Sequence, residues 1–173
     1  VFIDRTGGNT RRIKITPAAY SSSDRAKRGN REVTVKTSIS SSGKFQASSN
    51  INKAAGILRS GGVVIFPTDT VYGIGCRLDG QKAINRIYQI KGTPKNQPFP
   101  ILVSSISQVA KIAHINDLAK RLIKKYWPGG LTVILQGKNT GKKYGFRMPN
   151  SKLVLDLIDE VGKPIIGTSA NFH

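Results

Sequence analysis

From Asn50 onward the sequence predicts an α/β fold, because helix-like and strand-like segments alternate along it. Two apolar runs indicate where such a fold would hold a ligand. VVIFPTDTVYGIG (Val63 to Gly75) and PIIGTSANF (Pro164 to Phe172) are β-prone and end abruptly in small polar residues. A buried strand discharging into Thr68-Asp69-Thr70, or into Thr168-Ser169-Ala170-Asn171, brings hydroxyls and amides to the carboxyl end of a sheet. Open α/β sheets bind ligands there. Between the two lies IKGTPKNQPFPIL (Ile90 to Leu102), a loop rich in Lys and Pro leading into another apolar run. Two polar strand ends and one cationic loop suggest a site for a small polar substrate and a phosphate.

Residues 1–49 read differently from the rest, being rich in Ser, Thr, Asn, Gly and Arg. Arg11 to Ile15 and Glu32 to Ile39 alternate polar and apolar residues as short strands do. Ser21-Ser22-Ser23 and Ser40-Ser41-Ser42-Gly43 have the composition of turns or connectors. Edge strands and a mobile arm both fit, so 1–49 is set apart as a basic segment of unknown role, with 50–173 the folded domain. Asn50 is expected to cap a helix bearing Ile51, Ala54, Ala55 and Leu58 on one face, ended by Gly61-Gly62. Val63 to Phe66 follows as a buried strand. Asp79 is expected to cap a helix carrying Ala83, Ile84, Ile87 and Tyr88, ended by Gly92. Pro100 to Val103 reads as a strand, and Ser105 to Ala113 and Asn116 to Trp127 as helices. Strands are expected at Leu131 to Gln136 and Phe146 to Met148, a helix at Ser151 to Val161, and a last strand from Pro164 to Gly167.

A chain of 173 residues can bury one real core. Its longest apolar stretches are too short to span a bilayer, and no apolar core follows Arg5, Arg11 and Arg12 as a secretory leader requires. Cys76 is the only cysteine, which excludes an intrachain disulfide and a cysteine-based zinc site. A reducing, cytoplasmic setting is the simpler expectation. The net charge is +19, from 28 Lys and Arg against nine Asp and Glu. The excess is +7 over residues 1–50 and +12 over the remainder, so it is not confined to a tail. Such a field attracts polyanions in a salt-dependent way, although a solvated basic surface has the same composition.

Several residues can carry chemistry. Lys91 is either a cation favoured by the end of its helix or a phosphate contact. Lys95 pairs with it in a loop stiffened by Pro94, Pro98 and Pro100. Thr68 and Thr70 either bond their own turn or face a substrate, and Tyr72 is placed to line the same pocket. Ser169 and Asn171, two apart in extended chain, share a face and can grip phosphate or ribose oxygens. Arg147 offers a planar fork for carboxylate or phosphate, with Lys142 and Lys143 just before it. His114 and His173 have no metal or nucleophile partner at a telling spacing, no metal ligand set is visible, and Asp69 is a candidate only. The P-loop pattern is missing, so any nucleotide would be held differently.

Five of these segments, in order, resemble the YrdC-like threonylcarbamoyl-AMP synthases. PTDTVYGIG resembles the family's PT[DE]TVYGLG, IKGTPKNQPF its K-x-R-P-x-x-x-P-L, and YWPGGLTVIL its WPGPLT. FRMP and GTSAN resemble its R-x-P and S-x-N motifs, and the likeness spans about Asn50 to His173. The resemblance implies a YrdC-like twisted mixed open sheet flanked by helices. It implies an ATP-dependent nucleotidyltransferase that uses L-threonine and bicarbonate to make L-threonylcarbamoyl-AMP and pyrophosphate, for the threonylcarbamoyl modification of tRNA adenosine 37. Magnesium would accompany ATP, and the tRNA threonylcarbamoyl-transfer machinery would consume the product. Carried onto this chain, L-threonine falls to Thr68, Tyr72 and Arg147. The nucleotide falls to Lys91, Lys95, Ser169 and Asn171, with Lys91 also the catalytic residue.

Two positions depart from the family. Thr93 stands where K-x-R has its arginine, and a hydroxyl cannot hold a phosphate bidentately. Gly130 replaces the second proline of WPGPLT. Family members also continue beyond S-x-N, so a C-terminally shortened domain is expected. These departures leave a second expectation: a YrdC-like protein that binds double-stranded RNA or tRNA through a basic face, with little or no catalysis. The carbamoyltransferases of hydrogenase maturation use the same domain but add zinc fingers, which one cysteine excludes.

Overall fold

In the computed structural model, which describes residues 2–3 and 43–170, seven strands form one mixed sheet. Along the chain the elements are β1 (Phe2–Ile3), α1 (Gly43–Arg59), β2 (Val63–Pro67), β3 (Tyr72–Arg77), α2 (Gln81–Lys91) and β4 (Ile101–Leu102). They continue with α3 (Ile106–Ile112), α4 (Asp117–Tyr126), β5 (Val133–Gln136), β6 (Lys143–Arg147), α5 (Lys152–Val161) and β7 (Ile165–Ser169). The spatial order is β1-β2-β3-β7-β4-β6-β5. Only β4 and β6 pair in parallel. The expected α/β sheet is therefore present, open and mixed. The strand-like patterns at Arg11 to Ile15 and Glu32 to Ile39 lie outside the described residues.

Helices cover both faces. On one, α1 and α5 pack Ala54, Ala55, Leu58, Leu157 and Ile158 against Val64, Phe66, Leu102 and Ile165. On the other, α2 lays Ala83 and Ile87 on Val63, Ile74 and Cys76. Beside it α3 and α4 bury Val109, Ala119 and Ile123 against Ile101, Val133 and Phe146. Strand alternation explains the division, since successive side chains point to opposite faces.

Three expectations need correction. Helix α1 begins at Gly43, so Asn50 lies within it rather than capping it, and Gly43 is no connector. The α1 residues that pack against α5, Ala54, Ala55 and Leu58, all lie beyond Asn50, so nothing in that packing explains the earlier start. Asp79 does not cap α2, whose N-cap is Gly80 without a side-chain cap bond. The Asp79 carboxylate instead holds Arg77 at 2.6 Å and Lys163 at 2.9 Å. Finally, Tyr72–Arg77 is a strand the apolar pattern does not announce. Its glycines are required by packing: a Cβ on Gly73 would meet the Phe66 ring at 2.7 Å, and one on Gly75 the Ile166 carbonyl oxygen at 2.3 Å.

Other ends follow local chemistry. The Asn116 side chain accepts from Ala119 N at 2.8 Å and starts α4. Gly92 closes α2 at φ 64°, a left-handed conformation that glycine adopts freely.

Candidate functional site

Strands β2 and β7 run in the same direction on either side of β3, so both predicted polar ends reach one edge of the sheet. Phe66, Gly73 and Ser169 lie in one row across the three strands. A cleft of about 170 Å³ opens here, floored by Phe66, Gly73, Leu102 and Gly167. Thr68, Thr70, Thr132, Arg147, Thr168 and Ser169 give it hydroxyls and one guanidinium. Sites for drug-sized ligands run from about 300 to 1,000 Å³. The walls supplied by the described residues therefore enclose an amino-acid-sized group, not a whole nucleotide.

The β2–β3 turn is built by Thr68. Its Oγ1 donates to the Val71 carbonyl at 2.6 Å and accepts from Thr70 N at 3.2 Å and Val71 N at 3.3 Å. Of the two roles open for Thr68, the turn-bonding one is realised, and the hydroxyl also lies 3.2 Å from Thr70 Oγ1.

Lys91 ends α2 and is 4% exposed. Its Nζ donates to the Ser169 carbonyl at 2.7 Å, joining the cationic loop to the end of β7 across 78 residues of chain. Burial pushes the Lys91 amine below its ordinary pKa. The Lys91 side chain and the Ser169 backbone thus meet at one strand end.

Arg147 closes β6. Its Nη2 donates to Asp69 Oδ1 at 2.6 Å and its Nε to the Gly129 carbonyl at 2.9 Å. Thr70 Oγ1 lies 3.4 Å from the same Nη2. Sequence spacing gives no hint of this bond between residues far apart in the chain, and Asp69 is the site residue whose role only the fold discloses. Thr132 and Thr168 are further cleft residues reached the same way.

Two predicted residues are not brought in. Tyr72 is 60% exposed and does not line the cleft, while its carbonyl accepts from Ala170 N and extends the β3–β7 pairing. Lys95 is exposed in the 92–100 loop, away from the cleft lining. Asn171 lies outside the described residues. Thr93, at the family's arginine position, buries its hydroxyl without a hydrogen-bond partner. Among the described residues no group of three His, Cys, Asp or Glu could hold a metal, and no helix is long and apolar enough to cross a membrane. Cys76 is buried, its thiol pushed up to about 12, so it is inert as a nucleophile.

The chain is thus an α/β domain with an open mixed sheet, a threonine-built turn and a guanidinium at one cleft, and a buried lysine bonded to the strand end beside it. Residues 56–173 match the Sua5/YciO/YrdC family model, described as telomere recombination. The chain belongs to that family. It is 39% identical over 131 residues to the threonylcarbamoyl-AMP synthase of Bacillus subtilis, covering 70% of this chain and 38% of that protein. With YciO of Escherichia coli it shares 31% identity over 128 residues, 69% of this chain and 62% of that one. The crystal structure of Pyrococcus abyssi Sua5 complexed with L-threonine superposes with a TM-score of 0.66 at 36% identity, over 70% of this chain and 38% of that chain. The chain thus spans 38% to 62% of the length of these relatives.

Proposed function

We propose that this domain is an L-threonylcarbamoyladenylate synthase. Some of its relatives, that of Bacillus subtilis among them, are named threonylcarbamoyl-AMP synthase, and Pyrococcus abyssi Sua5 is known as a complex with L-threonine. In the reaction the threonine amine adds to bicarbonate with loss of water, giving a carbamate. The carbamate oxygen attacks the α-phosphate of ATP, and the bond to the bridging oxygen breaks to release pyrophosphate. Such chemistry needs positioning and charge stabilisation more than covalent help. The observation that carries the reading is the meeting of Lys91 with the end of β7 beside the threonine-lined cleft.

Threonine occupies the cleft between the Thr68–Thr70 turn and Arg147, its methyl group on the floor of Phe66 and Leu102. Lys91 and Ser169 serve the phosphates, Lys95 adds charge from the loop, and Asn171 is assigned to the nucleotide by its motif alone. Tyr72, exposed here, reaches substrate only if the turn closes. Magnesium arrives on ATP; Asp69, bonded to Arg147, is not free to bind it without breaking that pair. The product serves tRNA modification in the cytoplasm. The test is isothermal titration of the full chain with L-threonine and with L-serine. Binding of threonine in preference to serine supports the reading, and no heat with either removes it.

A second reading is favoured by charge. With net +19, and with Arg121 and Lys124 on α4 exposed and without a carboxylate partner among the described residues, the domain suits double-stranded RNA or tRNA. Binding that weakens steeply with salt supports this; binding indifferent to salt counts against it.

A further inference from the structure

We propose that Asp69 is a positioning residue: its carboxylate clasps Arg147 across the sheet, and this clasp sets the width of the cleft and masks the charge of the guanidinium. In the sheet, β2 and β6 are separated by β3, β7 and β4. Four inter-strand spacings are about 19 Å on a flat sheet. The side chains of Asp69 and Arg147 nevertheless meet at 2.6 Å, so the β2–β3 turn and the end of β6 are bridged over the strand ends that lie between them.

Both partners are largely withdrawn from water, Arg147 at 16% and Asp69 at 15% side-chain exposure. An exposed pair would be screened and replaceable, whereas a withdrawn pair leaves an uncompensated charge when one partner is removed. The guanidinium is held at both ends of its fork. Asp69 takes Nη2, and the Gly129 carbonyl takes Nε. Gly129 N in turn donates to the Met148 carbonyl at 2.8 Å, which laces the α4–β5 turn to the exit of β6. On the other side the turn moves as a unit, because Thr68 Oγ1 ties Thr70 and Val71 to itself. The short bond at Asp69, backed by longer contacts of 3.4 and 3.5 Å from the guanidinium to Thr70 Oγ1, thus holds the Thr68–Thr70 wall against the Arg147 wall. Ser151 Oγ, donating to the Pro67 carbonyl at 3.3 Å, is a weaker second tie.

Two consequences separate this role from ordinary packing. Loss of either partner frees the turn. Loss of Asp69 alone also unmasks a guanidinium inside a cleft, where it attracts anions. The test uses the full chain and inorganic phosphate, so it does not depend on threonine being the substrate. Amide hydrogen exchange across residues 68–72 should quicken by about tenfold or more in both Asp69→Asn and Arg147→Met. Phosphate affinity should rise by about tenfold in Asp69→Asn, and fall back when Arg147→Met is added. Should Asp69→Asn not fold, Arg147→Lys carries the test. A lysine is a point charge that can hold Asp69 or the Gly129 carbonyl but not both, so turn exchange should quicken there too. Both changes together support the clasp. Unaltered exchange of the turn, or phosphate affinity unmoved by Asp69→Asn, overturns it.

Discussion

Replacing Lys91 by methionine should separate the ammonium from the stem that carries it. The side chain is 4% exposed and packs at the end of α2, so an unbranched apolar residue of similar length fills the space. The loss includes the 2.7 Å bond from Nζ to the Ser169 carbonyl. A bond from a charged donor contributes about 1.5–3 kcal/mol. Opposing it is the cost of burying the charge, visible in the amine's lowered pKa. For a base held below its ordinary value, that cost is present at neutral pH and lifts as pH rises through the folded pKa. The two terms offset, so the melting temperature should move by only a few degrees. ATP handling has no such offset. Losing a charge-assisted phosphate contact of about 1.5–3 kcal/mol slows threonine-dependent pyrophosphate release about tenfold to a hundredfold or more. The assay is pyrophosphate release under saturating L-threonine and bicarbonate, with circular dichroism to confirm the fold. The wild-type rate should also fall as pH rises toward 10.5, because the ammonium is lost early. A Lys91→Met protein that keeps both its fold and its rate would refute the reasoning.

Other predictions bear on fold and site. Gly75→Ala drives a methyl to 2.3 Å from a backbone oxygen of β7, and should cost about 3 kcal/mol in urea unfolding. Gly130→Ala, with nothing within 4 Å, should change stability by less than about 0.5 kcal/mol, and equal effects would show the contact to be unimportant. Arg77 first, and Lys163 second, hold the Asp79 carboxyl at about 2, below its ordinary 3.8. A depressed acid stabilises above its unfolded pKa and loses that as pH falls through the folded one. Wild type should therefore exceed Asp79→Asn in melting temperature above pH 4 and converge with it toward pH 2. The partly exposed pair limits the gap to about 1 kcal/mol, and a gap that persists at pH 2 would count against the pairing. Thr93→Arg supplies the fork that the buried, unbonded hydroxyl cannot, and should tighten ATP binding about tenfold. Titration with a fluorescent ATP analogue decides this, and unchanged affinity removes Thr93 from the phosphate site.

How much of this was legible in the sequence depends on the range of the forces. Continuous apolar runs marked β2 and β7, and periodic ones marked α2 to α5, because burial of one face is a local pattern. Strand β3 was hidden by Gly73 and Gly75, which are present for the ring of Phe66, a residue on the neighbouring strand. The start of α1 and the role of Asp79 also differ from the sequence pattern. Helix α1 runs through the Ser48-Ser49-Asn50 start that the sequence offers, and Arg77 and Lys163 outcompete a cap at Asp79. In the site, the motif residues Thr68, Arg147 and Ser169 line one cleft, and Lys91 reaches the Ser169 carbonyl beside it. The bond from Arg147 to Asp69 has no local signature, since its partners are 78 residues apart in the chain. Tyr72 follows its motif yet faces away from the cleft lining, because a strand's alternation, once β3 is recognised, overrides position in a motif.

The central claim, that this cleft adenylates a threonine carbamate, is tested most directly by mass spectrometry of the product. Full-chain protein is incubated with ATP, magnesium, bicarbonate labelled with carbon-13, and L-threonine. The account predicts threonylcarbamoyl-AMP carrying one heavy carbon, formed with an equal amount of pyrophosphate and only when threonine is present. Pyrophosphate release indifferent to threonine, or no labelled adenylate from folded protein, would contradict it.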